Sequence, residues 1–456
     1  MVRVWERRNR YQKGERMRYS RVFATTILAA TFSVPGVANP VLKAAVKADY
    51  DAHLGALFTH FHQNPELSFL EIETAKRMAI ELKKAGAEVT SGVGGTGVVG
   101  VMRNGVGPTL LLRADMDGLP MPEKSGLPYA SKVTQTGQDG KVYPVMHACG
   151  HDTHITAMVG TARRLAAMKD WWKGTVLFVV QPAEERVGGA KAMLVDGLYT
   201  RFPKPDYAIA FHVDADLPTG QISASEGLQY SSADSIDIMV PGIGAHGASP
   251  HQGKDPVYIA SQIVVALQSI NSRELGPLEP GVVTVGSFHS GTKHNIISDR
   301  ADLQVTVRAN NEATRAQIIA AVDRIAKGVA RTNGMPDDKL PVVKVSEGTP
   351  TTINDAALAR RMNAAFARDL GPKVVAPFQQ TGMGAEDFSY FVDPKLGVPG
   401  YYFSVGGTPQ AAFDAAKAGG PPVPSHHSPL FKIAPQPSIT LGTEAMVLAT
   451  LELLKP

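Results

Sequence analysis

The chain of 456 residues contains one cysteine, Cys149. One thiol cannot form an internal disulfide, so Cys149 is either an inert buried residue or is kept for its chemistry. No apolar stretch approaches the ~20 residues that a membrane span needs. No heptad run, fixed-period repeat or low-complexity tract is present, which excludes coiled-coil and solenoid architectures. Charged residues make up 19% and hydrophobic residues 44%, the proportions of a globular protein and not of a disordered one. A phosphate-binding loop is missing too: Gly92-Val93-Gly94-Gly95-Thr96-Gly97 has neither a P-loop lysine nor a following helix pattern.

Positive charge is concentrated at one end. The net charge is +4, but residues 1–38 hold eight Arg or Lys against two Glu, a net of +6, which leaves −2 for the remainder. The remainder offers no electrostatic footprint for nucleic acid or acidic membranes. Residues 1–38 read as a signal peptide: Arg18 and Arg21 precede an apolar run over 22–34, and Pro35-Gly36-Val37-Ala38 supplies small residues for cleavage. Met17 is a second candidate start, because residues 1–16 are polar and charged. The expectation is an exported protein, periplasmic or secreted, without membrane attachment after cleavage.

Length alone predicts roughly two to three folded units. From about residue 40 to 90, Val46, Tyr50, Leu54, Leu57 and Phe61 recur at helical spacing, residues 75–85 continue the period, and Gly86 is the stop. Strand-type runs follow at 97–102, 109–112, 175–180 and 207–213, with a helix predicted over 153–168. Apolar runs of this kind, alternating with helices, predict an α/β catalytic domain with a central, mostly parallel sheet flanked by helices. The character changes near Tyr230. A strand at 235–240, a helix at 256–271, strands at 282–288 and 301–308, a helix at 314–331 and a strand at 342–346 follow in order. That βαββαβ order predicts a ferredoxin-like α+β domain. It occupies 230–346, inserted into a first domain made of 40–229 and 347–456. A helix at 355–370, an apolar run at 401–405 and a helix at 440–454 complete the first domain.

Three strand-type runs end in acids or a histidine: Asp115 and Asp117 after Leu110-Leu111-Leu112, Glu184 and Glu185 after Val179-Val180-Gln181-Pro182, and His212 after Ile209-Ala210-Phe211. In an open α/β sheet ligands bind outside the carboxyl ends of the strands, so these groups are expected to converge on one crevice. The run His147-Ala148-Cys149-Gly150-His151-Asp152-Thr153-His154 stands just before a predicted helix. Cys149 and His151, at i and i+2, face one way from an extended segment, and a thiolate with an imidazole suits zinc or a similar borderline metal. Asp152 and His154 are then expected to orient the ligands. Neighbouring side chains diverge, so one of Glu184 and Glu185 can bind a metal while the other serves as the base of metal-assisted hydrolysis. His426 and His427 add two loop imidazoles, one of which could close the metal set. A nucleophilic Cys149 is a competing reading that leaves Asp115, Glu184, Glu185 and His212 without a role.

Together the motifs resemble those of the metal-dependent N-acyl-amino-acid amidohydrolases, the family of hippurate hydrolases and plant auxin-conjugate hydrolases related to aminoacylase and carboxypeptidase G. The resemblance begins at His62-Gln63-Asn64-Pro65-Glu66-Leu67-Ser68-Phe69 and continues through 113–120, 147–154, 181–185, 244–251 and Gly384-Ala385-Glu386-Asp387-Phe388 to His427-Ser428-Pro429. It implies a two-metal centre held by Cys149, His151, Glu185, His212 and His427, with Glu184 as general base and Asp117 orienting a ligand. It also implies that His246 stabilises the oxyanion and that Asn295 and Arg308 hold the substrate's carboxylate. By the same resemblance the inserted domain is a lid through which two chains form a homodimer. Zinc is the first expectation for the two divalent ions, and one thiolate among N and O donors also admits manganese, cobalt or nickel. The sequence departs from the family at Ser298, commonly Pro, and at 432–437, commonly acidic; neither position touches a proposed ligand. The expected activity is hydrolysis of the amide of a small-molecule N-acyl amino acid or peptide. An exported di- or aminopeptidase and a non-catalytic metal- or ligand-binding protein are the alternatives.

Overall fold

Alternation at period two explains the central sheet of the computed structural model, which describes residues 38–456. Residues 1–37 of the signal peptide read from the sequence lie outside the described residues. Along Thr109–Asp115 and Gly174–Gln181, residues Leu110, Leu112, Val176, Phe178 and Val180 face one layer of helices, while Leu111, Leu177 and Val179 face the other. Tyr207–Pro218 and Gly400–Thr408 continue the pattern, with Ile209, Phe211, Tyr401 and Phe403 on the first side and Ala208, Ala210 and Tyr402 on the second. Burial on both faces is what parallel strands covered by helices require.

The sheet has eight strands in the order Glu88–Val93, Gly97–Asn104, Gly174–Gln181, Thr109–Asp115, Tyr207–Pro218, Gly400–Thr408, Ile222–Ser223 and Val375–Ala376. The four long central strands are mutually parallel, and antiparallel pairings join the flanking strands to them. Helices Ala38–Asp49, His151–Ala167, Ala356–Asp369 and Pro435–Leu453 cover one face through Val46, Met158, Met362 and Met446. The helix Gly189–Val195 and the turn Asp387–Tyr390 cover the other through Met193 and Phe388. The edge strand Glu88–Val93 escapes sequence patterning because only Val93 of its six residues is buried.

Residues 232–349 build a second, wholly antiparallel sheet in the order Gly281–Ser290, Arg300–Ala309, Ser232–Pro241 and Val342–Thr349. Helices Pro256–Leu267 and Glu312–Thr332 share a core with it that includes Ile236, Ile238, Val305, Val307, Ile263 and Val322. Asp255 and Asn311 cap these helices by accepting the N–H of Val257 at 2.9 Å and of Thr314 at 2.8 Å. The helix expected over 256–271 is interrupted: it ends at Leu267, and a π turn, Ile270–Glu274, follows. The chain enters this layer through Leu228–Tyr230 and returns through Thr352–Ile353, and these two short strands pair with each other.

His62 ties the N-terminal helices to the segment that opens His151–Ala167. It is buried at the end of Gly55–Gln63, with Nδ1 2.7 Å from Asp152 Oδ2 and Nε2 3.1 Å from Glu123 Oε1. Asp152, expected from the sequence to orient metal ligands, makes this pair instead. Adjacent residues of a helix do not face each other, so Asp152 points away from His151. Burial lowers the proton affinity of His62, but the hydrogen bonds to Asp152 and Glu123 prevail and raise its pKa to about 9. A histidine whose folded pKa exceeds its unfolded value of about 6.5 stabilises the fold below that value, and loses the effect as pH rises through the folded pKa. His62→Gln should therefore cost about 3–5 kcal/mol near neutrality, because two buried carboxylates lose their partner. In thermal unfolding followed across pH, the Tm gap between parent and variant should be widest below about pH 6.5 and narrow as pH rises from there to about 9; a gap independent of pH would contradict a charged His62.

Candidate metal centre

Because Gly174–Gln181, Thr109–Asp115 and Tyr207–Pro218 are parallel neighbours, Glu184 and Glu185, Asp115 and Asp117, and His212 all emerge at one end of the sheet. The segment before His151–Ala167 brings Cys149 and His151 against the same end. Gly150 between them has a φ of +87°, and a Cβ there would lie 2.4 Å from Val213 Cγ1. Only glycine lets this turn press against the strand that carries His212. His427 arrives on a C-terminal loop, its N–H donating to Ala148 O at 2.9 Å.

Cys149 Sγ and His212 Nε2 are 3.4 Å apart. His151 Nε2 lies 3.8 Å from Glu184 Oε2 and 3.9 Å from Glu185 Oε1, and His427 Nε2 lies 3.4 Å from Glu185 Oε2. Glu185 thus faces two imidazoles with its two oxygens. The donor atoms of Cys149, His151 and His212 all lie within 4.8 Å of one another, as do those of Cys149, Glu185 and His427. These are two overlapping donor sets that share the thiol.

Two of the imidazoles are aimed by their other nitrogen. His212 Nδ1 donates to Val213 O at 2.6 Å and His151 Nδ1 to Asp117 O at 2.9 Å, which leaves both Nε2 lone pairs facing the cluster. His154 differs: Nδ1 pairs with Asp115 at 2.6 Å and Nε2 accepts the Val213 N–H at 2.8 Å, so both nitrogens are occupied. It positions the strand that carries His212. His426 Nε2 accepts the Ala215 N–H at 3.0 Å, and of the two loop histidines it is His427 that stands beside Glu185.

Asp117 organises the turn of the two glutamates. Its oxygens accept the N–H groups of Glu184 and Glu185, both at 3.1 Å, and the Ser68 hydroxyl at 2.7 Å, while Oδ1 lies 3.2 Å from His151 Nδ1. The turn is strained: Ala183 and Val187, on either side of Glu184–Arg186, have φ of +49° and +44°, and His427 has +60°. Left-handed backbone is costly for a β-branched residue such as Val187 and persists only where surrounding contacts impose it. Here Glu71 accepts the Ala183 N–H at 2.8 Å, and the Val187 N–H bonds Glu184 O at 2.7 Å.

Carboxylates outnumber cations around this turn. The fully buried Arg113 spans Asp115 at 2.6 Å, Glu386 at 2.7 Å and Asp387 at 3.3 Å. Glu184 has no arginine, and burial, followed by the charges of Glu386 and Glu185, pushes its carboxyl well above the usual range. Burial, then Glu185 and Glu184, likewise push the Cys149 thiol up. His151 Nε2 and Glu185 Oε1 are buried without a hydrogen-bond partner. Orphaned donor atoms beside crowded anions are what a divalent cation would satisfy, and the mixed S, N and O donors fit a zinc-like ion.

The cluster opens into a cavity of about 560 Å³ whose wall also includes Val187, Asp214, Tyr230, Arg308 and Met383. Arg308 reaches it from the strand Arg300–Ala309 of the second sheet. His246 and Asn295 do not line it. His246 is exposed on a two-stranded ribbon, opposite Ile296, and its Nδ1 accepts the Ala248 N–H at 3.0 Å; Asn295 adjoins the same ribbon. A single chain therefore brings neither residue to the cluster. Sequence patterning does not single out Asp214, Tyr230 or Met383. Asp214 carries a usable signal, since it stands two residues beyond His212 on one strand and so shares its face; Tyr230 and Met383 lie in a linker and a loop without periodicity.

A parallel-stranded core, an inserted α+β layer and a Cys, His and Glu donor cluster at the strand ends define the class, a metal-dependent amidohydrolase. The chain belongs to peptidase family M20/M25/M40, whose model matches residues 111–417. It is 40% identical over 339 residues to a hippurate hydrolase of Campylobacter jejuni, covering 73% of this chain and 83% of the relative. It is 34% identical over 347 residues to an N-acetylcysteine deacetylase of Bacillus subtilis, covering 76% and 86%. An IAA-amino acid hydrolase of Arabidopsis thaliana is 32% identical over 409 residues, 90% of this chain and 88% of the relative. Among solved structures, a protein of methicillin-resistant Staphylococcus aureus superposes with a TM-score of 0.78 at 31% identity, covering 91% of this chain and 100% of the other. A Bacillus subtilis protein described as a dinuclear metal binding peptidase of the M20 family gives 0.70 at 28% identity, covering 89% and 99%.

Asp117→Asn removes the negative charge behind His151 and one of the acceptors that shape the glutamate turn. Metal affinity, measured by competition with a chromogenic chelator, should fall about 10–100-fold. An unchanged affinity would show that the ring and the turn hold their places without the carboxylate.

Proposed function

We propose that this chain hydrolyses the amide bond of N-acyl amino acids or small peptides, with Cys149, His151, Glu185, His212 and His427 holding two divalent cations, zinc foremost, and Glu184 as general base. The observation that carries the reading is the unequal setting of Glu184 and Glu185 on one strained turn: Glu185 meets His151 and His427 with its two oxygens, whereas Glu184 approaches His151 alone, with one oxygen at 3.8 Å. When bound, the cations polarise the scissile carbonyl and make water more acidic. Glu184 takes the proton of the attacking water at its carboxylate and returns it to the amide nitrogen as the C–N bond breaks, releasing a carboxylic acid and an amine. Burial, and then the charges of Glu386 and Glu185, raise the proton affinity of Glu184, which suits it to hold the proton between the two halves of that transfer. Arg308 offers a planar fork to the carboxylate of an amino acid leaving group. Hippurate and N-acetylcysteine, which name two of the relatives, are both N-acyl amino acids.

In this reading residues 230–346 act as a lid that swings on the paired crossover strands, and residues 1–38 direct export. A homodimer through the lid would let His246 of the partner subunit approach the carbonyl oxygen that the chain's own His246 does not reach. The exposed apolar side chains of Tyr258 and Val265 on the lid helix Pro256–Leu267 support such a contact.

Chelation should abolish hydrolysis of hippurate, N-acetyl amino acids and simple dipeptides, and re-addition of Zn, Mn, Co or Ni should restore it. Glu184→Gln should lower kcat on the order of 10²–10⁴-fold with metal content retained. Activity that survives either treatment would overturn the assignment.

A further inference from the structure

Four carboxylates line the cavity: Glu184, Glu185, Asp214 and Glu386. The first two face His151 and His427. Glu386 is gripped by both guanidinium nitrogens of Arg113, at 2.7 and 3.2 Å. Asp214 is different. Its Oδ1 accepts the Asp216 N–H at 2.8 Å and the Ser404 hydroxyl lies beside it, but among the described residues it forms no ion pair with Arg, Lys or His. It stands two residues beyond His212 on the same strand, hence on the same face and roughly 6–7 Å further along. A half-buried carboxylate in a pocket wall, without a counter-charge from its own chain, is a place for a cation brought by the ligand.

Resting on the amidohydrolase reading above, we propose that Asp214 is a specificity residue that receives a protonated amine on the acyl part of the substrate, so that the preferred substrates are aminoacyl amides of amino acids. Arg308, in the same cavity, takes the carboxylate of the leaving amino acid, and the scissile amide lies between the two charges. The spacing from His212 places the ammonium several bonds from the carbonyl, beyond what an acetyl or benzoyl group supplies. A pocket built to bond a polar group discriminates against analogues that lack it, because its own partner is then left unpaired.

The accepted Asp216 N–H could by itself explain Asp214 as a turn residue at the strand end, and the test separates the two roles. Asp214→Asn keeps an oxygen acceptor for that N–H and removes only the charge; Asp214→Glu keeps the charge on a longer arm. The metal-loaded parent and both variants are assayed for kcat/KM on glycyl, β-alanyl and 4-aminobutyryl amides of one amino acid. Each is paired with its isosteric propionyl, butyryl or valeryl amide. At one chain length or more, the parent should favour the aminoacyl member by about tenfold or more, and Asp214→Asn should erase that preference. Asp214→Glu should retain a preference and move it to a shorter acyl chain. Alkyl amides preferred at every length, or equal losses on both members of each pair in Asp214→Asn, would overturn the proposal and leave the amidohydrolase reading intact. Cleavage of neither series by the parent would overturn both.

Discussion

The ends of the parallel strands bury more carboxylate than the chain's own cations can balance, and much of the surrounding structure answers to that excess. Arg113 takes Asp115, Glu386 and Asp387. His62 takes Asp152 and Glu123, and backbone N–H groups are turned toward Asp117 and Glu71. Glu184, Glu185 and the Cys149 thiol remain without a cation of comparable strength. Ionising such groups in a low-dielectric site costs several kcal/mol unless positive charge joins them. The crowding that opposes ionisation here is the same property that gives the site affinity for divalent cations and keeps the proton affinity of Glu184 high.

Position in this centre is secured by backbone as much as by side chains. The left-handed Ala183 and Val187 bracket the glutamates, and His427 adopts the same region of φ where it meets Glu185. Strain of this kind persists because the hydrogen bonds to Asp117 and Glu71 over-determine the turn. The cavity's far wall comes from elsewhere in the chain. Arg308 belongs to the second sheet, which meets the first domain at the two short paired strands and also through Arg186–Glu347, Asn310–Gln380 and Thr349–Ser389.

Much of this is legible in the amino-acid order. Strands buried on both faces are continuous apolar runs, so the central sheet declares itself, and the βαββαβ order of the inserted layer follows from periodicity alone. Glu88–Val93 does not, because an exposed edge strand needs no apolar face. Cys149, His151, His212 and the pair Glu184 and Glu185 are legible as candidate donors because they stand where strands end or a helix begins; the choice of Glu185 comes from the family resemblance. Asp214 shares a strand face with His212 by its i+2 spacing, but that signal says nothing of its role until its lack of a counter-charge is seen.

The residue types, and hence the chemistry open to the centre, are determined by the sequence: one thiol, imidazoles and adjacent carboxylates on a frame whose alternation dictates a parallel sheet. Which group meets which is decided only by tertiary structure. Spacing alone leaves His426 and His427 equivalent and only the resemblance prefers His427; in the structure the Ala215 N–H occupies His426 while Glu185 faces His427. Asp152 and Asp117 are both expected to orient a ligand, yet Asp152 turns toward His62 while Asp117 stands against His151. The physical reason is separation along the chain. Arg113 and Glu386 are 273 residues apart, and no local spacing records a contact of that length.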